Sequence, residues 1–409
     1  MSIWPTIPII FIGHATLRHS NYDSAIAVLE HPERVSRIRL FGQESQLIKI
    51  AALMQESFPV LTHLSISSQF RNVLPLPGGL LGRSAPSLQQ LHLGNVLYPA
   101  LPMLLSSACN LVDLKLHNIL LTGYISPEAM SSHLSASPKL ETLYVKFNDL
   151  SPFSDLTVSP PVARTVLPAL RIFTFFGKRK YLGDFVSRID TPQLNYALVF
   201  YQGGDISINF DVPRLTKFID RSEYLKRSMS RHCKIVIEQD HQVLQDIVTL
   251  CLGRTIGKRR IPKPGILVCL DTGVEKKFSH LTNILGFMSP ILSDVVHFTI
   301  DSDNPAYSSQ PEGRNDFDWS QLLRQLASLQ TLLVFGNVTS LISQALAHVN
   351  ARTITEFLPT LQLLCLEGEE EGQATSPVGK FLAVRRDSGH PVTFVNTKDE
   401  FEEKLKSYP

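Results

Sequence analysis

The sequence predicts an α/β solenoid: a curved parallel sheet on the concave side, helices outside, built from degenerate repeats. Three observations predict it. One apolar pattern, at positions one, four and six of a short segment, returns ten times along the 409 residues. Proline stands two residues before position one in six of those copies, at Pro59, Pro86, Pro138, Pro168, Pro192 and Pro359. Apolar residues at helical spacing fill intervals between copies.

The pattern is clearest in Leu61-Thr-His-Leu64-Ser-Ile66, Leu88-Gln-Gln-Leu91-His-Leu93, Leu111-Val-Asp-Leu114-Lys-Leu116 and Leu140-Glu-Thr-Leu143-Tyr-Val145. It continues in Leu170-Arg-Ile-Phe173-Thr-Phe175, Leu329-Gln-Thr-Leu332-Leu-Val334 and Leu361-Gln-Leu-Leu364-Cys-Leu366. Looser copies start at Val35, Leu194 and Val295. Successive copies start 26, 27, 23, 29, 30 and 24 residues apart as far as Leu194, then 34 and 32 apart from Val295.

Positions four and six point the same way from an extended segment. One strand cannot bury that face alone, so neighbouring copies stack into a continuous core. A proline where the strand starts removes no hydrogen bond from the ladder. Between strands, Leu47, Ile50, Ala51 and Met54 recur at helix spacing within Glu44–Glu56, as do Met130 and Leu134 after Pro127. Ser126-Pro127-Glu128 reads as an N-cap, a first-turn proline and a carboxylate at the positive helix end. Asp318 with Gln321 resembles a capping box before Leu322, Leu323 and Leu326. Strand plus helix per unit, joined by right-handed crossovers, gives a parallel sheet with helices outside. A Rossmann-type chain would instead show near-continuous apolar strands and a glycine-rich first turn.

Residues 1–409 are read as one solenoid, with regular repeats over 1–200, irregular ones over 201–290, and repeats again over 291–375. Residues 376–409 form a capping strand and helix. In the irregular stretch, Leu215-Thr-Lys-Phe218 starts a copy whose third apolar position is Asp220. Ile235-Val-Ile237 and Ile266–Leu270 read as strands around a polar loop, Arg254–Gly265. Near the end, Ser376-Pro377 opens a helix to about Arg386, Val392–Val395 makes a last strand, and Lys398–Lys406 a charged capping helix. At the other end, Ile3, Trp4, Ile7, Ile9 and Ile10 predict a first edge strand.

Composition narrows the function. A balance of 39 basic to 37 acidic residues, net +2, argues against a chain that coats nucleic acid or an acidic membrane. Hydrophobic content of 44% with 19% charged residues argues against wholesale disorder. Five scattered cysteines without a CxxC pair fit a reducing compartment, hence cytoplasm or nucleus. No apolar run approaches the roughly 18 residues of a membrane span. Met1 to Ile12 lacks the positive region of a signal peptide, and Pro5 and Pro8 interrupt any helix there.

The first six positions of each copy match the leucine-rich-repeat signature, although its usual asparagine at position nine survives only as Asn148 and Asn337. At finer grain the chain resembles the leucine-rich-repeat part of F-box-type proteins of mushroom-forming fungi. Segments that carry the resemblance include Leu29-Glu-His-Pro-Glu-Arg-Val35, Met54-Gln-Glu-Ser-Phe-Pro59, Leu76-Pro-Gly-Gly-Leu80 and Ser84-Ala-Pro86. Others are Trp4-Pro5, Thr122-Gly-Tyr-Ile-Ser-Pro-Glu128, Phe210-Asp-Val-Pro213 and Ser388-Gly-His-Pro-Val392. The resemblance implies a substrate-receptor array of a ubiquitin ligase system. Family members carry an F-box that binds the ligase adaptor upstream of the repeats. Here no F-box pattern precedes Trp4, so an adaptor contact is expected only where an upstream F-box is present.

The motifs that carry chemistry are missing from the pattern. Gly78-Gly79-Leu-Leu-Gly82 sits between prolines and reads as a turn, not a phosphate loop. No GxSxG elbow and no HExxH occur, and His14 and His19 are wrongly spaced for one helical metal face. Lys258-Arg-Arg260 with Lys263, and the acidic Glu367 to Glu371, read as solvated loops. No catalytic residue, cofactor or metal is expected.

The expected surface comes from phase. Positions three and five face away from the core and form a concave strip for protein recognition. The strip is His63/Ser65, Gln90/His92, Asp113/Lys115, Thr142/Tyr144, Ile172/Thr174 and Tyr196/Leu198, then His297/Thr299 and Thr331/Leu333. The expected partner is a protein, with no nucleic acid and no membrane. A regulator of a small GTPase is the second reading, and it would need a rim residue such as Arg71 or Asn148.

Overall fold

A computed structural model describes residues 7–14, 25–69, 74–119, 125–148, 163–201, 212–229, 231–240, 245–253, 265–271, 292–302, 318–349, 357–369 and 376–405. The protein is α/β, with mostly parallel strands and helices between them. It divides into two compact units, Met1–Ala197 with Lys217–Tyr224, and Leu198–Thr216 with Leu225–Pro409.

The first unit carries β1 (Ile9–His14), β2 (Val35–Gly42), β3 (His63–Ser68), β4 (Leu74–Pro75), β5 (Gln90–Gly94) and β6 (Val96–Leu97). It continues with β7 (Asp113–Ile119), β8 (Thr142–Phe147), β9 (Thr165–Val166), β10 (Ile172–Gly177), β11 (Ile189–Asp190) and the start of β12 (Tyr196–Tyr201). Strands β1, β2, β3, β5, β7, β8 and β10 lie side by side in parallel. The first strand thus runs later than expected, from Ile9 to His14, and Ile3 and Trp4 lie outside the described residues. Registers align the repeat: Leu64 faces Leu91, then Leu114, Leu143 and Phe173 in turn. All five are at most 1% exposed.

The prolines act one step earlier than the strand. In each proline copy the N–H of position one returns to the carbonyl three residues before, as Leu61 to Phe58 at 3.2 Å and Leu88 to Ala85 at 3.1 Å. Pro59 and Pro86 therefore sit at the second residue of a β-turn, where a fixed φ is favourable. Beyond the turn, one carbonyl accepts twice from the next copy. Thr62 O takes N–H groups from Gln89 and Gln90 at 2.8 and 2.9 Å, and Gln89 O takes those of Val112 and Asp113 at 2.7 and 3.0 Å.

Helices cover the face of positions four and six. The helix Glu44–Leu53 buries Leu47, Ile50 and Ala51, with Met54 at its end. Ser126 caps the helix Pro127–Leu134, its Oγ accepting the Ala129 N–H at 3.1 Å. Tyr181 and Phe185 of the helix Arg179–Ser187 pack on Phe175 and Phe173, at ring distances of 5.8 and 6.0 Å.

The second unit holds β13 (His232–Asp240), β14 (Gln245–Gly253), β15 (Gly265–Asp271), β16 (His297–Ser302), β17 (Thr331–Gly336), β18 (Leu363–Leu366) and β19 (Thr393–Val395). Strands β13, β16, β17, β18 and β19 are parallel neighbours. Asp318 Oδ1 caps the helix Trp319–Arg324 by accepting the Gln321 N–H at 3.0 Å. Ser376 Oγ caps the helix Pro377–Asp387 through Gly379 N–H, also at 3.0 Å.

Three expectations change here. The stretch expected as irregular parallel repeats contains an antiparallel meander, with β14 between β13 and β15. Leu215-Thr-Lys-Phe218 lies in the helix Val212–Arg221, not a strand. A spacing of three serves both a strand copy and a helix face, and Asp220 in place of a sixth-position apolar residue separates them. Leu333, expected on the open strip, is covered: Phe401 and Leu405 of the charged helix, Lys398–Leu405, pack on it and on Phe335, Leu363, Cys365 and Val395.

Candidate functional site

Twelve strand residues of the first unit, in two rows, decide what its outer face can do. Position three forms one row across the strands and position five another, because parallel register keeps equivalent residues abreast. Arg37, His63, Gln90, Asp113, Thr142 and Ile172 make the first row. Arg39, Ser65, His92, Lys115, Tyr144 and Thr174 make the second. Of the expected residues in these rows, and Tyr196 beside them, all are half-buried except Thr174, which is 8% exposed and buried among its neighbours.

The centre is an ion-pair cluster. His92 Nε2 donates to Asp113 Oδ2 at 2.9 Å, and Lys115 Nζ donates to the same oxygen at 2.7 Å. Burial alone would raise the Asp113 carboxyl, but the hydrogen bonds and charges of His92 and Lys115 outweigh it and hold the group below the usual carboxylate value. Beside it, the Tyr144 ring lies tilted at 4.3 Å from His117 and 5.6 Å from Phe176, and Lys146 Nζ lies 5.4 Å above the Phe176 ring. Burial pushes the Tyr144 phenol up. Burial, with Arg37 and His92, pulls His63 below the ordinary imidazole value. Burial also lowers His117, helped by His92, Lys115 and Lys146 and opposed by Asp113.

Sequence reasoning missed Arg37, Arg39, His117, Lys146 and Phe176 on this face. Arg37 and Arg39 occupy positions three and five of the looser Val35 copy, and the same phase would have found them. His117 and Lys146 stand at position seven, one strand step beyond the motif.

Missed as well was a pair of asparagines at position eight, one place before the expected one. Asn95 Nδ2 donates to Ser68 O at 3.1 Å, and Asn118 Nδ2 donates to Asn95 Oδ1 at 2.9 Å. Both residues have φ of 54°, a left-handed conformation that asparagine tolerates. The β7–β8 register shifts between Leu116 and Ile119, across Asn118. These side chains tie the strand ends together rather than face the strip.

The corresponding face of the second unit begins alike and then closes. His232 and His297 rings lie 4.5 Å apart, Lys234 Nζ pairs with Asp301 at 2.6 Å, and His297 Nδ1 meets Thr331 Oγ1 at 2.8 Å. Thr299 is half-buried, but Thr331 and Leu333 are only 2% and 8% exposed. These two are corrections to the expected open strip: the helix Lys398–Leu405 covers Leu333, and Thr331 lies between His297, which it meets, and Leu363 on the neighbouring strands. Arg71, Lys258 to Lys263 and His19 lie outside the described residues, while Asn148 is exposed at the end of β8.

Ser65 is abreast of His92, but no hydroxyl or thiol among the described residues is hydrogen-bonded to that imidazole. Among the described residues no group of three or more His, Cys, Asp or Glu could hold a metal ion, and no helix is long and apolar enough to cross a membrane. No protein-family model matches the chain, and no curated protein matches it either.

Proposed function

We propose that the chain is a leucine-rich-repeat solenoid acting as a non-enzymatic protein-recognition array, a substrate-receptor-like part of a ubiquitin ligase system of the cytoplasm or nucleus. One observation carries the recognition reading. Rows of polar, charged and aromatic side chains stand in register across β2 to β10, half-exposed, with the apolar positions spent on the opposite face. Such a strip offers Tyr144, Phe176 and paired charges, the residue types that dominate recognition surfaces. The His92–Asp113 pair, without a bonded nucleophile, supports binding over group transfer. The ligase connection rests on the family resemblance alone.

Photocrosslinking tests both parts. A crosslinking residue at Ser65 places the probe on the strip, and one at Met103, 54% exposed in the helix Leu101–Ser107, places it on the helical side. Discrete protein adducts in cells are expected from Ser65 and not from Met103. Equal adducts from both positions would remove the strip as the binding surface. Ubiquitination of the Ser65-crosslinked protein that rises when an F-box segment is joined upstream of the chain supports the ligase role, and unchanged ubiquitination beside a specific Ser65 adduct overturns that role alone.

A further inference from the structure

We infer that the face of β2 to β8 takes an acidic peptide segment, laid extended across the strands with carboxylates near its two ends. This rests on the recognition reading above and names its partner class. The face carries Arg37, Arg39, Lys115 and Lys146 against a single carboxylate, Asp113, among the described residues. The imbalance is local, since the whole chain has 39 basic and 37 acidic residues. Asp113 Oδ2 is already shared by Lys115 and His92. Arg37 and Arg39 are exposed, and neither they nor Lys146 meet a carboxylate among the described residues.

The cations form two groups. Arg37 and Arg39 stand on β2, Lys115 and Lys146 on β7 and β8, with His63, Ser65 and Gln90 between them. Four strand spacings separate β2 from β8, about 19 Å, which an extended peptide of about six residues spans. The middle of the face offers hydrogen bonds rather than charge, so the middle of the segment is polar and uncharged. A nucleic-acid backbone fits less well. Its evenly spaced phosphates would put charge over the middle of the face, where no cation stands among the described residues, and Tyr144 and Phe176 are packed on His117 and Lys146 rather than open for base stacking.

Selection of a displayed random-peptide library on the immobilised 409-residue chain tests the inference. Selected peptides are then titrated by fluorescence anisotropy. The expected winners carry Asp or Glu near both ends of a segment of about six residues and bind less well as salt rises. Arg37→Glu with Arg39→Glu should weaken them at least about tenfold, and Asp113→Asn should tighten them. The opposite signs separate charge recognition from damage to the fold, which circular dichroism checks independently. Winners that lack acidic residues yet lose binding with Tyr144→Ala overturn the acidic class and leave the strip as a recognition surface. No winners at all, or winners insensitive to every substitution on the face, overturn both readings. Labelled oligothymidine binding more tightly than the best peptide, and lost with the same arginine reversals, assigns the face to nucleic acid instead.

Discussion

Phe401→Ala is expected to open the outer face of β17 and β18 to thiol reagents at Cys365. The helix Lys398–Leu405 has eight residues, far fewer than an isolated helix needs to hold itself together in water. Asp399, Glu400, Glu402 and Glu403 are exposed, so its docking depends on Phe401, 4% exposed, and on Leu405 beside it. Burying a phenylalanine side chain is worth about 1.5–3 kcal/mol. Removing it lowers the free energy of local opening by about that much, and each 1.4 kcal/mol is tenfold, so labelling should quicken by about 10- to 150-fold. In the closed state Cys365 is doubly protected. It is 0% exposed, its Sγ donates to Thr397 O at 3.6 Å, and burial with Glu367 and Glu400 pushes the thiol up to about 12.

The assay is pulse labelling with N-ethylmaleimide near neutral pH, read by peptide mass spectrometry. Exposed Cys109 is the internal unprotected standard. Phe401→Leu keeps most of the apolar contact and should stay near wild type. Equal labelling of Cys365 in wild type and Phe401→Ala, with circular dichroism unchanged, would refute the assignment of the helix as its cover.

Other outcomes follow from the same geometry. Leu114→Ala and Leu143→Ala, both 0% exposed, should each cost about 2–5 kcal/mol in thermal melts, against under about 1 kcal/mol for Lys115→Ala. Tyr144→Ala should fall between, at about 1–2 kcal/mol, because it loses two ring contacts; equal losses in all four would overturn the facing of the strands. Arg385, 2% exposed, donates to Leu358 O at 3.2 Å and Leu361 O at 3.0 Å, so it clamps both sides of the Pro359 turn. Arg385→Met should cost about 3 kcal/mol, and Arg385→Lys should not restore it, since one ammonium cannot span both carbonyls; full rescue by lysine in denaturant melts would contradict the clamp. Finally, His63, His117 and His297 have folded pKa values below 6.5, so the unfolded chain binds the extra protons. Their stabilising effect is fully present above 6.5 and declines as pH falls through the window beneath it, and Asp113 adds a second loss below 3.8. Midpoints for these three imidazoles at or above the ordinary value, in an NMR titration, would contradict it.

How much of this was legible in sequence depended on whether one residue type had one structural use. The repeat was legible because Leu64 and Ile66, two apart, share the core face of a strand, while Leu61 is buried from the turn just before it. The caps at Ser126, Asp318 and Ser376 were legible because a hydroxyl or carboxylate before a helix has a specific N–H to accept. Leu215 and Phe218 were not, since their spacing serves helix and strand alike. Nor was the β13–β15 meander, whose apolar strands carry no mark of direction. The ion-pair cluster was half legible: phase places His92, Asp113 and Lys115 on one face, but only the register, which sets His92 of β5 beside Lys115 of β7, brings it within reach of Asp113 on the diagonal.

Where the outer face is open and where it is closed follows from the same alternation. His-Leu-Ser-Ile and Thr-Leu-Tyr-Val in β3 and β8 alternate polar with apolar, and they can leave one face to water. Thr-Leu-Leu-Val-Phe in β17 and Leu-Leu-Cys-Leu in β18 do not alternate, and a strand apolar on both sides must be covered on both. The inner side has the helices Thr339–Ala347 and Pro377–Asp387, which bury Ile342, Leu346 and Phe381. Among the described residues the outer side has the short helix with Phe401 and Leu405. That cover is therefore a requirement of β17 and β18 themselves, with no ligand needed to explain it. A partner that used the outer face of the second unit would first have to displace Phe401 from Leu333, Phe335 and Leu363, whereas among the described residues no helix packs over Arg39, Lys115 and Tyr144. On that difference the proposed recognition surface is placed on β2 through β10, while the helix Lys398–Leu405 closes the outer face of β17 and β18.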